Sequence, residues 1–188
     1  MNLDESDFNR YYKLKIPDTD KIVKECREKI LNSSLINKEE SSLWYPESSI
    51  FKELLTLNKT LKGLGLIEHI YGIALNVTTP RSKIPIHIDT GRFKWSLNIP
   101  IHCFKDSYIA LYKTNEKPTK FYLPNNVTYL GFKSENTMVP YKKISSESPM
   151  FLNVKEPHNI VNSGDKIRVM MLIRLKYSFN IENYIQKA

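Results

Sequence analysis

The sequence predicts a mainly β fold with flanking helices, a barrel or sandwich with two N-terminal helices packed on it. Three observations carry this expectation. Residues 66–177 run as a succession of short β-rich segments cut by Pro, Gly, Asn and Asp, the punctuation of antiparallel strands and turns. The segments before them place apolar residues at helical rather than strand spacing. The composition, 41% hydrophobic and 26% charged over 188 residues, suits one domain with one core and shows no break that argues for two.

The first helix is expected over 18–32, where Ile22, Val23, Cys26, Ile30 and Leu31 make one stripe and Asp18 or Thr19 offers an N-cap. A second is expected over 48–61 through Ile50, Leu54, Leu55, Leu57 and Leu61, with Gly63 and Gly65 as its stop. SSLWYPESS between them reads as a loop. The strand candidates follow as IEHIYGIALNV, KIPIHID, KWSLNIPI, SYIALYK, KFYLP, VTYLGF, PMFLNV, HNIVN and IRVMMLIRL. Residues 1–65 thus form a helical support, 66–177 the β-barrel and 178–188 a tail with a last short helix through Ile181, Tyr184 and Ile185, all within a single domain of 1–188.

Several classes are excluded or left without support. No apolar run approaches the length needed to span a bilayer, and the N-terminus mixes acids and bases without an apolar signal core, so the expectation is a cytoplasmic protein with no membrane partner. Cys26 and Cys103 form neither a disulfide framework nor a zinc spacing and are expected as ordinary buried thiols. A net charge of +8 suits an anionic partner such as nucleic acid, but the lysines are scattered with acids between them. The chain's richness in Lys, Asn and Ile explains the same charge through an AT-rich genome, bacterial, viral or phage.

The chemistry concentrates at IPIHIDT, residues 84–90, where strand alternation projects His87 and Asp89 to one face with Ile88 opposite. A third ligand, His158, comes from a distant strand in EPHNIVN that an antiparallel barrel brings alongside. Two imidazoles and a carboxylate on one face of an octahedron leave positions open for a chelating cosubstrate and oxygen, as an Fe(II) centre requires. Arg168 follows His158 by ten positions. Its planar fork is suited to hold the distal carboxylate of a dicarboxylic keto acid whose other end chelates the metal. His69 and His102, each beside apolar strand residues, are left out of the site.

These residues resemble the 2-oxoglutarate-dependent oxygenases of the double-stranded β-helix (jelly-roll, cupin-like) fold. The resemblance covers residues 70–175 and rests on HxD at 87–89, SLNIPI at 96–101, His158 and IRVMMLIR at 167–174. SLNIPI is also similar to the aspartyl/asparaginyl β-hydroxylase group and to small phage-type hydroxylases. The resemblance implies Fe(II) on His87, Asp89 and His158, 2-oxoglutarate on Arg168, and hydroxylation of a peptide side chain, amino acid or other small molecule. Asn98 sits among apolar residues and needs a partner, backbone or cosubstrate. Tyr71 and Asn76 stand on the strand before HxD and either help to hold the cosubstrate or substrate or simply pack. Arg92, Phe93 and Trp95, just past the ligand pair, are candidates for a substrate loop.

Arg168 and Arg174 form R-x5-R with both side chains on one strand face. The AlkB-type nucleic-acid dealkylases carry a similar pair, which makes oxidative dealkylation the alternative function. Arg174 is then a second anchor, or else a strand-end residue facing solvent. A non-catalytic cupin-like binding barrel is the alternative from a different class. The oligomeric state is open.

Overall fold

The computed structural model describes residues 10–31, 43–44, 48–122 and 128–185. Helix α1 (Thr19–Cys26) runs on into a wider π-helical turn, Arg27–Leu31. Asp18 occupies its N-cap in a left-handed conformation and makes no side-chain cap. Its carboxylate instead accepts from Lys21 Nζ at 2.7 Å. The second predicted helix is two: α2 (Ser49–Glu53) and α3 (Leu55–Gly63), interrupted at Leu54, whose ψ of 72° is not helical. The interruption buries Leu54 completely. It also frees the first amides of α3, and the Glu25 carboxylate of α1 caps them, accepting from Thr56 N at 3.0 Å and Leu57 N at 3.2 Å. Gly63 ends α3 rather than stopping it. The left-handed residue is Gly65, φ 67°, where Leu66 N donates back to Leu61 O at 2.8 Å and closes the helix as a Schellman turn. The tail forms α4 (Glu182–Ile185).

The first strands are β1 (Tyr11–Lys13), β2 (Leu43–Trp44), β3 (Ile70–Thr78), β4 (Ser82–Lys83), β5 (His87–Ile88) and β6 (Phe93–His102). There follow β7 (Ser107–Leu111), β8 (Thr119–Tyr122), β9 (Thr128–Gly131), β10 (Lys142–Ser145), β11 (Met150–Asn153), β12 (His158–Asn162) and β13 (Arg168–Lys176). They build two antiparallel sheets. One has the order β1-β11-β6-β13-β3-β2, the other β10-β7-β12-β5-β9-β8 with β4 added against β12. Every expected β segment carries a strand. KIPIHID, however, breaks at Pro85 into β4 and β5, because proline offers no amide to a ladder. The short strands β1, β2 and β10 lie outside the predicted set.

Alternation along β6 and β13 divides the core. Leu97, Ile99, Ile101, Met171, Ile173 and Leu175 face the helices, where Ile22, Cys26, Phe51, Leu57 and Leu61 cover them. Ser96, Asn98, Leu172 and Arg174 face the space between the sheets. Trp95 belongs to the helix side: it is 4% exposed and its ring lies 5.7 Å from Tyr12. The expectation of a substrate-loop Trp95 is therefore corrected. Phe93 should share Trp95's face, yet it faces the inter-sheet core. The reason is a register shift. Arg174 pairs with Ser96 and Lys176 with Phe93, so one extra residue on β6 reverses the parity between Trp95 and Phe93.

Candidate active site

His87 and His158 are direct cross-strand partners on β5 and β12. Their rings sit 4.5 Å apart between centroids. Asp89 leaves the end of β5 with its amide donating to Val154 O at 2.9 Å, and its Oδ1 lies 3.4 Å from His87 Nε2. One ligand atom from each of His87, Asp89 and His158 falls within 4.8 Å of the others. Each imidazole is oriented by main chain: Nδ1 of His87 meets Pro85 O and Nδ1 of His158 meets Glu156 O, both at 2.8 Å. A carbonyl can only accept, so each Nδ1 carries the proton and each Nε2 presents a lone pair. Two such nitrogens and one carboxylate, with open space beside them, are the donor set of a facial Fe(II) site. The residues fit the metal.

Burial holds both imidazoles neutral. It pulls the His87 pKa down to about 4 and the His158 pKa, with His87 as a further repulsive neighbour, down to about 3. Both folded values lie below the ordinary 6.5, so the unfolded chain takes up protons first as pH falls. The contribution of these two neutral imidazoles to the stability of the metal-free protein is thus full above pH 6.5 and is lost as pH falls through about 4 and about 3, by on the order of 1.4 kcal/mol per pH unit for each imidazole at most. Thermal melts of EDTA-treated protein from pH 7 to 4 should show this fall. The His87→Phe/His158→Phe double variant should flatten it, and an unchanged slope would remove the two histidines as its cause.

The ligands open on a cavity of about 340 Å³ lined on one side by Tyr71, Phe93 and Tyr129. Tyr129 sets its ring edge-on to His87 at 4.8 Å. Arg174 also lines it, stacks over Phe93 at 4.5 Å and pairs with Asp89. With a side chain 16% exposed, Arg174 does not emerge to meet solvent as one sequence reading had it. Burial draws its guanidinium pKa down to about 10.

Asn76 and Asn98 line the same cavity and are buried. Asn98 Oδ1 accepts from Ser96 Oγ at 2.7 Å, which supplies the partner its apolar setting demanded. Arg168 lies behind Asn76 and is not itself a lining residue. It is fully buried, donating from Nη1 to Asn76 Oδ1 at 2.8 Å and from Nη2 toward Ser146 Oγ at 3.4 Å. Its Nε has no partner, and among the described residues no carboxylate pairs with it, the Cys103 thiol being its titratable neighbour. A buried cation without a counter-ion is costly, and it fits a carboxylate supplied from outside.

Tyr71 lines the outer part of the cavity at 36% exposure, its ring 5.7 Å from Phe93. That placement suits contact with an incoming substrate better than a hold on a deep cosubstrate. Arg92 is exposed and absent from the lining. His69 packs against Phe179 and Tyr184, and His102 against Phe104, away from the ligands as expected. Cys26 is a buried free thiol, whereas Cys103 is only partly buried. The sequence reading missed the Asp89–Arg174 pair and named Phe93 without a reason to separate it from Trp95.

No family model and no curated sequence matches the chain. Solved structures do. The non-haem α-ketoglutarate-dependent carbocyclase SnoK of nogalamycin biosynthesis is similar at TM-score 0.55 and 10% identity, over 100% of this chain and 91% of that one. A Pseudomonas putida prolyl-4-hydroxylase gives 0.51 and 11%, over 92% and 96%. EvdO2 from Micromonospora carbonacea var. aurantiaca, solved with 2-oxoglutarate, gives 0.55 and 10%, over 94% and 92%. The fold is the double-stranded β-helix. Within it, the sheet carrying β6 and β13 supports the helices, and the sheet carrying β5 and β12 supplies the three candidate ligands. Among the described residues, no helix is long and apolar enough to cross a membrane.

Proposed function

We propose that this protein is an Fe(II)/2-oxoglutarate-dependent dioxygenase that hydroxylates a small molecule, amino acid or peptide side chain. The observation that carries the reading is the convergence of His87, Asp89 and His158 on a cavity also lined by Asn76, which accepts from a buried arginine, Arg168, that no carboxylate pairs among the described residues. The three ligands would hold the metal, and Arg168 and Asn76 would bind the distal carboxylate of the cosubstrate. Iron with 2-oxoglutarate and oxygen supplies the oxidising equivalents, with decarboxylation to succinate. This chain's residues do the remaining work. Neutral Nε2 atoms bind without a proton having to leave, the apolar lining of Ile84, Ile109, Ile160 and Leu172 keeps bulk water out, and the Tyr71–Phe93 wall orients the substrate at the open side. The whole 1–188 chain acts as one domain in this reading.

The test is succinate formation from 2-oxoglutarate under Fe(II) and oxygen, with or without a substrate. Native protein should turn over even when uncoupled, and His87→Ala should lose turnover by at least about 100-fold. A native protein that binds neither Fe(II) nor 2-oxoglutarate overturns the reading.

A nucleic-acid dealkylase is the second reading, carried by Arg168 and Arg174 facing the barrel interior together. Strong, salt-sensitive binding to a single-stranded oligonucleotide would decide for it.

A further inference from the structure

Asp89 is the one ligand that does not sit within a strand, because β5 ends at Ile88. Some other contact must hold it at its place beside the imidazoles. Lys155 supplies one. It is part of the turn between β11 and β12, and its ammonium donates to Asp89 O at 2.6 Å and to Gly91 O at 2.8 Å. Those bonds span the turn that carries the carboxylate. The same ammonium lies 5.5 Å from the Phe93 ring centroid, and Phe93 packs so closely beneath Gly91 that any Cβ there would overlap the ring. The base of Lys155 is fixed as well, since its amide donates to Asn153 Oδ1 at 3.1 Å. Partial burial lowers its pKa from the ordinary lysine value. No carboxylate pairs with it among the described residues, and two of its three N–H donors go to the turn.

We infer that Lys155 is a positioning residue for the metal centre, clamping the 89–91 turn so that the Asp89 carboxylate is aimed at the point between His87 and His158. The inference rests on the metal reading above and adds a residue to it. The same ammonium also places a positive charge near the site, and charge and clamp predict opposite signs. By Coulomb repulsion alone, removing a nearby cation strengthens binding of a divalent metal. By the clamp, removing the donors weakens it, as loss of outer hydrogen-bond partners does at metal sites generally, by roughly 10–100-fold.

The experiment measures Co(II) affinity of the EDTA-stripped protein, by titration calorimetry and by the ligand-field absorption of bound Co(II), for native, Lys155→Met and Lys155→Arg chains. Methionine keeps the length and the contact on Phe93 without the donors, and arginine restores them. The clamp predicts a Co(II) dissociation constant at least about tenfold weaker for Lys155→Met, an altered ligand-field spectrum, and recovery to within about threefold by Lys155→Arg. Affinity in Lys155→Met equal to or tighter than native overturns the inference, as does equal loss in both variants with native melting behaviour. Should Lys155→Met fail to fold, Lys155→Leu, which also lacks the donors, takes its place under the same criteria. A native chain that takes up no Co(II) instead overturns the metal reading itself, so the two failures are separate.

Discussion

Arg168→Met should raise the 2-oxoglutarate concentration needed for half-saturation by about a hundred-fold to a few thousand-fold while leaving metal affinity within a few-fold of native. The magnitude follows from the site. Truncating one partner of a buried, hydrogen-bonded charge pair costs about 3–5 kcal/mol, and each 1.4 kcal/mol is roughly a decade in affinity. Calorimetric titration of 2-oxoglutarate into the Mn(II)-loaded protein checks it without turnover. Lys at this position should recover only part of the loss, because a point charge cannot replace the guanidinium fork. In the ligand-free protein the sign reverses. Arg168 is buried with an orphaned Nε and, among the described residues, no carboxylate counter-ion, so its removal should stabilise the fold by about 1 kcal/mol or more, roughly 2–4 °C in Tm for a chain of this size. Unchanged 2-oxoglutarate affinity would end the anchoring role.

Asp89→Ala should do two separable things. It should abolish measurable Fe(II) or Co(II) binding, and it should destabilise the metal-free protein by about 3–5 kcal/mol, because Arg174 is left buried without its partner. Arg174→Met added to it should restore most of the stability and none of the metal binding. A melt series of native, both single variants and the double variant gives the coupling energy directly. If Asp89→Ala melts like the native chain, the Asp89–Arg174 pair contributes nothing to the fold. If it still binds metal with native affinity, Asp89 is not a ligand.

The parts of the structure legible in the sequence are those governed by a single strong rule. Alternation placed His87 and Asp89 together, and the helical stripe of Ile22, Cys26 and Ile30 reached the core it implied. What escaped depended on contacts between distant segments. The break at Leu54 is matched by Glu25 of the distant α1 capping the amides it frees, a contact that no local pattern around residue 54 announces. Strands β1, β2 and β10 are short edge or near-edge pieces whose pairing partners lie far away in sequence. The exchange of Phe93 for Trp95 at the cavity came from one extra residue on β6, and a period of two cannot be followed through a bulge. Parity puts Arg174 on the same strand face as Arg168 but leaves open whether it anchors a ligand or meets solvent, and its partner Asp89 lies in the other sheet region, where the sequence assigns that carboxylate to iron alone.

The hydrogen bonds that orient both histidines end on the carbonyls of Pro85 and Glu156. Every amino acid carries that oxygen. Mutational drift at positions 85 and 156 can therefore replace either side chain without erasing the acceptor, provided the backbone path is kept. The tautomers of the two imidazoles are inherited with the trace of the chain rather than with its lettering, which lets such a centre persist while the surrounding text is rewritten.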